Sequence, residues 1–202
     1  MRQGGLAAVL VIAVLVCGAA GRAYATTPKK PTVAQQLHAY LKAMSKPATA
    51  LAKAVNFGDT ASSFYNQWRD NQFADEAPSD WSDFASEAQK AHDTAVPGAA
   101  LIGKVKPPAA MKGPHALFTS QALVFVKNEQ AVATQAGNLD ASAWVSDPRT
   151  EPVKLTVKLG VDALDAKNSL QRAEVNWRQE LIVQLRRAQI TVPFWVKQVG
   201  VF

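Results

Sequence analysis

Four side chains of this 202-residue chain could ligate a transition metal or pass a proton near neutral pH: His38, His92, His115 and Cys17. Their spacing assembles no known centre. A di-iron helical bundle takes Glu-x-x-His on two helices plus two further inward glutamates, but the residues three before these histidines are Gln35, Gln89 and Lys112. No His-Glu-x-x-His and no Asp-x-Asp-x-Asp-Gly run exists, so zinc-protease and EF-hand chemistry lack their ligands. Asp80, Asp83 and Glu87 fall on one helical face and could hold a hard cation. Near a helix start, however, such acids read as dipole-stabilised and solvated. Nucleophilic catalysis is no better served: there is no Gly-x-Ser-x-Gly elbow and no Ser-x-x-Lys, and no phosphate-cradling glycine loop is read. The expectation is a non-enzymatic protein with no catalytic residue, no metal and no cofactor.

His115 is the histidine best placed to act. It follows Pro107-Pro108 and Gly113-Pro114 and precedes the most apolar helix, which puts it near a helix start, facing an inter-helix groove. There it would serve either as a pH-responsive binding group or as a structural hydrogen-bonding residue across the bundle. Trp177 lies on a core stripe, and Arg178 beside it is expected to reach an acid of the 59–93 segment. The apolar surplus of Trp144, Phe194, Trp195, Val201 and Phe202 could line a groove for a hydrophobic molecule or a partner helix, or close the core. His115, Trp144, Trp177 and Trp195 are the candidate ligand-binding residues.

The N-terminus reads as an export signal. Met1-Arg2-Gln3 is a short basic start, and Leu6 to Ala20 is a run of 15 small or apolar residues. Ala23-Tyr24-Ala25 then supplies small residues at the two positions a signal peptidase reads. Residues 1–25 are therefore assigned as a signal peptide, 26–31 as a flexible leader and 32–202 as one helical domain. The run is shorter than the ~20 residues that cross a bilayer, so cleavage is favoured over a retained anchor. Lipidation at Cys17 is disfavoured by the branched Val16 before it. Cleavage leaves no cysteine, which removes thiol catalysis, disulfides, thiolate zinc and attached c-type haem. It also removes Arg2 and Arg22, taking the 22 bases to 20 against 16 acids, a net charge of +4.

Charge is unevenly spread. Residues 59–93 hold eight acids against two bases, and residues 153–202 hold eight bases against four acids. Opposite ends of this kind suggest pairing between the chain's own elements, and with export they argue against nucleic acid as a partner.

The elements that must position these residues are helices. Val33, Leu37, Tyr40, Leu41, Met44, Ala48, Leu51 and Val55 recur in steps of three and four, one stripe of an amphipathic helix. The stripe keeps its phase across Pro47, which predicts one kinked helix ended by Gly58, with Asp59 capping the next segment. A helix over about 80–95 carries Trp81, Phe84, Ala88 and Ala91 and is stopped by Val96-Pro97-Gly98. Pro108 opens a third, with Phe118, Ala122, Phe125 and Val132 inward and Gly137-Asn138 as its stop. Val153 to Leu159 alternates like a strand, but a lone strand has no partner, and the stretch leads into a final helix with Leu170, Ala173, Trp177, Leu181 and Leu185 on one face. Thr191-Val192-Pro193 ends that helix, and Phe194-Trp195-Val196 should fold back on the bundle. The fold class is all-α: an antiparallel four-helix-bundle-like domain with one or two extra short helices.

Pro107-Pro108, six residues, then His115 before a long helix, with the later Ala173-Glu174-Val175-Asn176-Trp177-Arg178, resembles uncharacterised exported bacterial helical-bundle proteins. The resemblance implies an all-α exported domain and carries over no catalytic or binding residue. The functional expectation is an extracytoplasmic protein, secreted or in the cell envelope, that binds an unidentified small molecule or protein partner. It has no stable transmembrane segment after cleavage. The alternative is a metal- or haem-binding bundle that uses His115, His38 or His92.

Overall fold

A computed structural model describes residues 30–70, 77–138 and 151–197. The signal peptide, most of the leader, the segment containing Trp144, and Val201 and Phe202 lie outside the described residues. The described elements are α1 (Val33–Asp70), α2 (Ala77–Ile102), a 3₁₀ turn (Ala109–Met111), α3 (Lys112–Asn138), α4 (Glu151–Arg187) and the short α5 (Phe194–Lys197). Among the described residues there is no strand, and none of the helices is long and apolar enough to cross a membrane.

Each long helix packs antiparallel against the next: α1 on α2, α2 on α3 and α3 on α4, with α4 closing more lightly on α1. The stripes read from the sequence face inward. Leu37, Tyr40, Met44, Ala48 and Leu51 of α1 are buried with Ala91, Ala95, Phe118, Phe125, Leu170, Trp177 and Leu181 in the main core. A second cluster around Tyr65, Trp81, Phe84, Val132 and Ala163 fills the other end. Val33, expected on the α1 stripe, is instead 64% exposed in the first turn. That turn is held by a reciprocal capping box, in which the Gln35 amide donates to Thr32 Oγ1 and the Thr32 amide donates to Gln35 Oε1.

Two expected helix ends are absent because the glycines there serve packing. α1 runs 38 residues, about 57 Å at 1.5 Å per residue, straight through Gly58. A Cβ at Gly58 would meet the Phe125 ring at 3.3 Å and Lys167 Cγ at 3.4 Å. Asp59, read as a cap, pairs across the bundle with Lys167 at 2.6 Å. α2 likewise passes through Pro97 and Gly98 to Ile102. There α1 and α2 press together: a Cβ at Gly98 would lie 3.1 Å from Leu51 Cγ and 3.2 Å from the Pro47 carbonyl.

The 153–159 stretch is helical, as its phase with the rest of α4 requires. α4 ends at Arg187, earlier than Thr191-Val192-Pro193, in a Schellman closure. The Ile190 amide donates to the Leu185 carbonyl and the Gln189 amide to that of Arg186, with Gln189 at φ 57°. α5 then folds back and buries Val196 in the main core.

Two substitutions test this packing in opposite directions. A Cβ at Gly160 would fall 2.2 Å from the Tyr65 ring, which lies on α4 with its hydroxyl donating to the Val157 carbonyl. Gly160→Ala should cost roughly 1–3 kcal/mol by overpacking and lower Tm by several degrees. Gln189→Gly removes the left-handed penalty of roughly 1–2 kcal/mol and should raise Tm. Thermal denaturation by circular dichroism reads both.

Candidate functional site

His115 sits in the first turns of α3, 6% exposed, and its ring closes a hydrogen-bond chain through the core. Trp177 Nε1 of α4 donates to Tyr40 Oη of α1 at 2.7 Å, and Tyr40 Oη lies 3.0 Å from His115 Nδ1. The protons can be placed by elimination. The indole is a donor only, so the tyrosine oxygen accepts from it, and the acceptor within reach of the tyrosine's own proton is Nδ1. A neutral His115 then carries its proton on Nε2, and the carbonyls of Ile102, the last residue of α2, and of Val105 beyond it favour the proton-bound ring. The chain of neutral groups thus joins α1, α3 and α4.

Aromatic packing reinforces it. Tyr40 stands edge-on to both His115 and Trp177, with centroids 5.7 and 6.5 Å apart, and Phe118 and Trp195 each stack on Trp177, at 5.2 and 6.3 Å. Burial lowers the His115 pKa below its ordinary value, with the two carbonyls opposing the shift. Burial raises that of Tyr40, with the Trp177 hydrogen bond opposing it.

Tyr40 also forms part of the floor of an open groove of about 760 Å³ between the N-terminal half of α1 and the end of α2 with its exit to Pro108. Ala39, Ala43, Pro47, Leu101, Val105, Pro107 and Pro108 give it apolar walls. Lys42 and Lys46 stand on the α1 bank, and Lys104 and Lys106 on the opposite one. No carboxylate lines it, and none of the four lysines makes an ion pair among the described residues. Lys46 also borders a shallower hollow of about 560 Å³ with Lys53, Pro97 and Trp195.

Sequence reasoning missed this groove, although a signal was present. Residues 26–58 hold five lysines and residues 94–128 four, and neither stretch contains an acid. The antiparallel pairing of α1 with α2 brings the two stretches together.

Other charges are buried differently. Arg178 was expected to reach the 59–93 segment. It is 1% exposed and turns back along its own helix, donating from Nε and Nη2 to Glu174 Oε1 at 2.8 and 2.5 Å and from Nη1 to the Trp195 carbonyl. The reason is geometric: Glu174 lies four residues earlier on the same face, and the fold-back of α5 supplies the carbonyl. Burial raises the Glu174 pKa, and the Arg178 pairing offsets part of that rise.

Glu129 occupies a core position of α3 between Phe125 and Val132, 2% exposed. Its Oε2 has no hydrogen-bond partner among the described residues. Burial pushes its carboxyl up to about 8, against the opposing charge of Lys167, whose ammonium is paired with Asp59.

Of the candidate residues, His115 and Trp177 both meet Tyr40 in one buried network and the half-buried Trp195 stacks on Trp177, whereas Trp144 lies outside the described residues. His38 is exposed, and His92 pairs with the adjacent Asp93. The three histidines sit on three helices, and among the described residues no three metal-ligating side chains cluster. Gly98, Gly103 and Lys104 have the spacing of a phosphate loop, but Val105 replaces its Ser or Thr. The stretch also closes a helix rather than joining strand to helix. The arrangement offers recognition: an apolar trough between basic banks, backed by a rigid neutral floor. Comparison with family models, with curated proteins and with solved structures finds no match to this chain.

Two of the shifted core groups, His115 and Glu129, make stability depend on pH with opposite signs. Between the ordinary histidine value of 6.5 and its lower folded value, the unfolded chain binds a proton that folded His115 refuses, so acidification through that window destabilises. Between 4.5 and about 8 the folded chain keeps a proton on Glu129 that the unfolded chain releases, so raising the pH through that range destabilises. Glu129→Gln, which cannot ionise, should match the parent's Tm near the acid end of that range and exceed it at the alkaline end. A difference independent of pH would contradict the assignment.

Proposed function

We propose that this chain is an exported, non-enzymatic binding protein whose site is the lysine-banked groove between α1 and the exit of α2. One observation carries the reading: four lysines that make no ion pair among the described residues line an apolar trough with no acid in its described lining. An anion in the trough would meet positive charge from both helices. The trough falls within the ~300–1,000 Å³ range of small-molecule sites, and its apolar walls suit a ligand that is organic as well as anionic.

The binding residues are Lys42, Lys46, Lys104 and Lys106 at the rim and Ala43 and Leu101 in the walls. Tyr40 is held from behind by His115 and Trp177. Trp195, beside Lys46 in the neighbouring hollow, extends the same basic face. The basic start, apolar run and Ala-Tyr-Ala of residues 1–25 support export, with the protein acting outside the cytoplasm, secreted or held in the envelope.

Saturation-transfer NMR with a fragment set of small organic acids, amines and neutral compounds tests the site without presuming the ligand. Acids should dominate the hits, and Ala43→Trp, which fills the trough from an exposed position, should abolish them. Hits spread evenly over the three classes, or untouched by Ala43→Trp, would overturn the reading.

A further inference from the structure

We infer that the natural ligand of the groove is a free single-chain anionic amphiphile, an alkyl carboxylate of about a dozen carbons; this rests on the groove being the binding site.

The walls decide the body of the ligand. They are aliphatic, from Ala39, Ala43, Pro47, Leu101 and Val105, and the lone aromatic among them, Tyr40, is 2% exposed with its hydroxyl committed to the core. A flat aromatic ligand would find no ring face to stack on, whereas an alkyl chain needs only apolar contact. Leu101, 39% exposed on the wall, offers such contact.

Length is set by α1. From Gln36 to Pro47 the groove follows eleven residue steps, about 16 Å at 1.5 Å each. Along a tetrahedral zigzag each C–C bond of about 1.5 Å advances the chain about 1.3 Å, so an extended chain of about a dozen carbons covers about 14 Å and its carboxylate most of the remainder.

The banks decide the head. Lys42 and Lys46 face Lys104 and Lys106 with no competing carboxylate. Their methylene stems can lie along an alkyl chain while their ammonium groups meet its acidic end. Between the banks there is no arginine, so the planar two-toothed recognition that favours phosphate is missing. An acidic peptide is less well served: helical walls present no strand edge to hold an extended backbone.

Isothermal titration of the mature chain with dodecanoate, below its micelle concentration, tests the inference. One molecule should bind per chain, roughly tenfold or more tighter than hexanoate because each buried methylene adds affinity. Binding should weaken as salt is raised. Dodecyltrimethylammonium, with the same tail and the opposite head, should not bind, and poly-L-glutamate should bind more weakly than dodecanoate. Lys104→Glu/Lys106→Glu changes two exposed side chains and should weaken dodecanoate roughly tenfold or more with Tm retained; if that variant unfolds, the salt dependence of the parent decides.

Equal binding of the cationic amphiphile, no dependence on chain length, or poly-L-glutamate binding as tightly as dodecanoate would overturn the inference. If short organic acids still bind in a way that Ala43→Trp blocks, the groove remains a binding site and only the ligand class falls. If Ala43→Trp changes nothing, both fall.

Discussion

A phenol, an indole and an imidazole sharing their protons in the core set the register of this bundle. Trp177, Tyr40 and His115 are 137 and 75 residues apart along the chain in successive pairs. They join α4, α1 and α3. The Trp177 indole and the Tyr40 hydroxyl each have an acceptor in the chain, which a buried polar network needs if it is to stabilise rather than destabilise. The condition is severe. A proton on Nδ1 would leave the tyrosine hydroxyl between two donors with no acceptor in the chain for its own proton, so the satisfied arrangement is a neutral ring protonated on Nε2. Rotation of α1, α3 or α4 would strand at least one of these groups in an apolar core, so the network specifies a register that the surrounding alanine and leucine packing alone would leave looser.

The groove follows from that register. With its hydroxyl held inward, Tyr40 presents only part of its ring to the trough, and the α1 face beside it carries Ala39, Ala43 and the two lysines. Antiparallel pairing places the acid-free start of α1 against the equally acid-free exit of α2, so positive charge accumulates at one end of the molecule. Of the acids of residues 59–93, Asp59 and Asp70 lie on the later turns of α1, and Asp80, Asp83, Glu87 and Asp93 on α2. Between the two core clusters, Lys167 is paired with Asp59 beside a Glu129 that burial keeps protonated. Charge is thus paired at mid-bundle, neutralised by burial at Glu129, and, among the described residues, left without an ion pair at the groove.

Helix phase was legible in the sequence because inward positions recur with the helical period, and Leu37 to Val55, Trp81 to Ala95 and Leu170 to Leu185 are all buried where that period puts them. Helix ends were less legible. Gly58 and Gly98 carry the composition of a stop, but their missing side chains admit Phe125 and Pro47, a tertiary reason that no local pattern reveals. Conversely, Gln189 ends α4 in a conformation usually given to glycine. Glu129 escaped notice because a charged residue on a stripe reads as a boundary, not as a buried group. His115, Trp177 and Trp195 were separable as notable residues, yet nothing in their spacing linked them. Tyr40, the residue between His115 and Trp177, looked like one more stripe position.

Because the whole arrangement leans on the protonation pattern of one imidazole, nitrogen-15 NMR of histidine-labelled protein near neutral pH is the most direct measurement. The account predicts that His115 shows a neutral ring with Nδ1 unprotonated and a slowly exchanging proton on Nε2, titrating below the ordinary 6.5. It also predicts a Trp177 indole proton protected from exchange. A His115 ring protonated at Nδ1, or one that titrates like an exposed histidine, would contradict it.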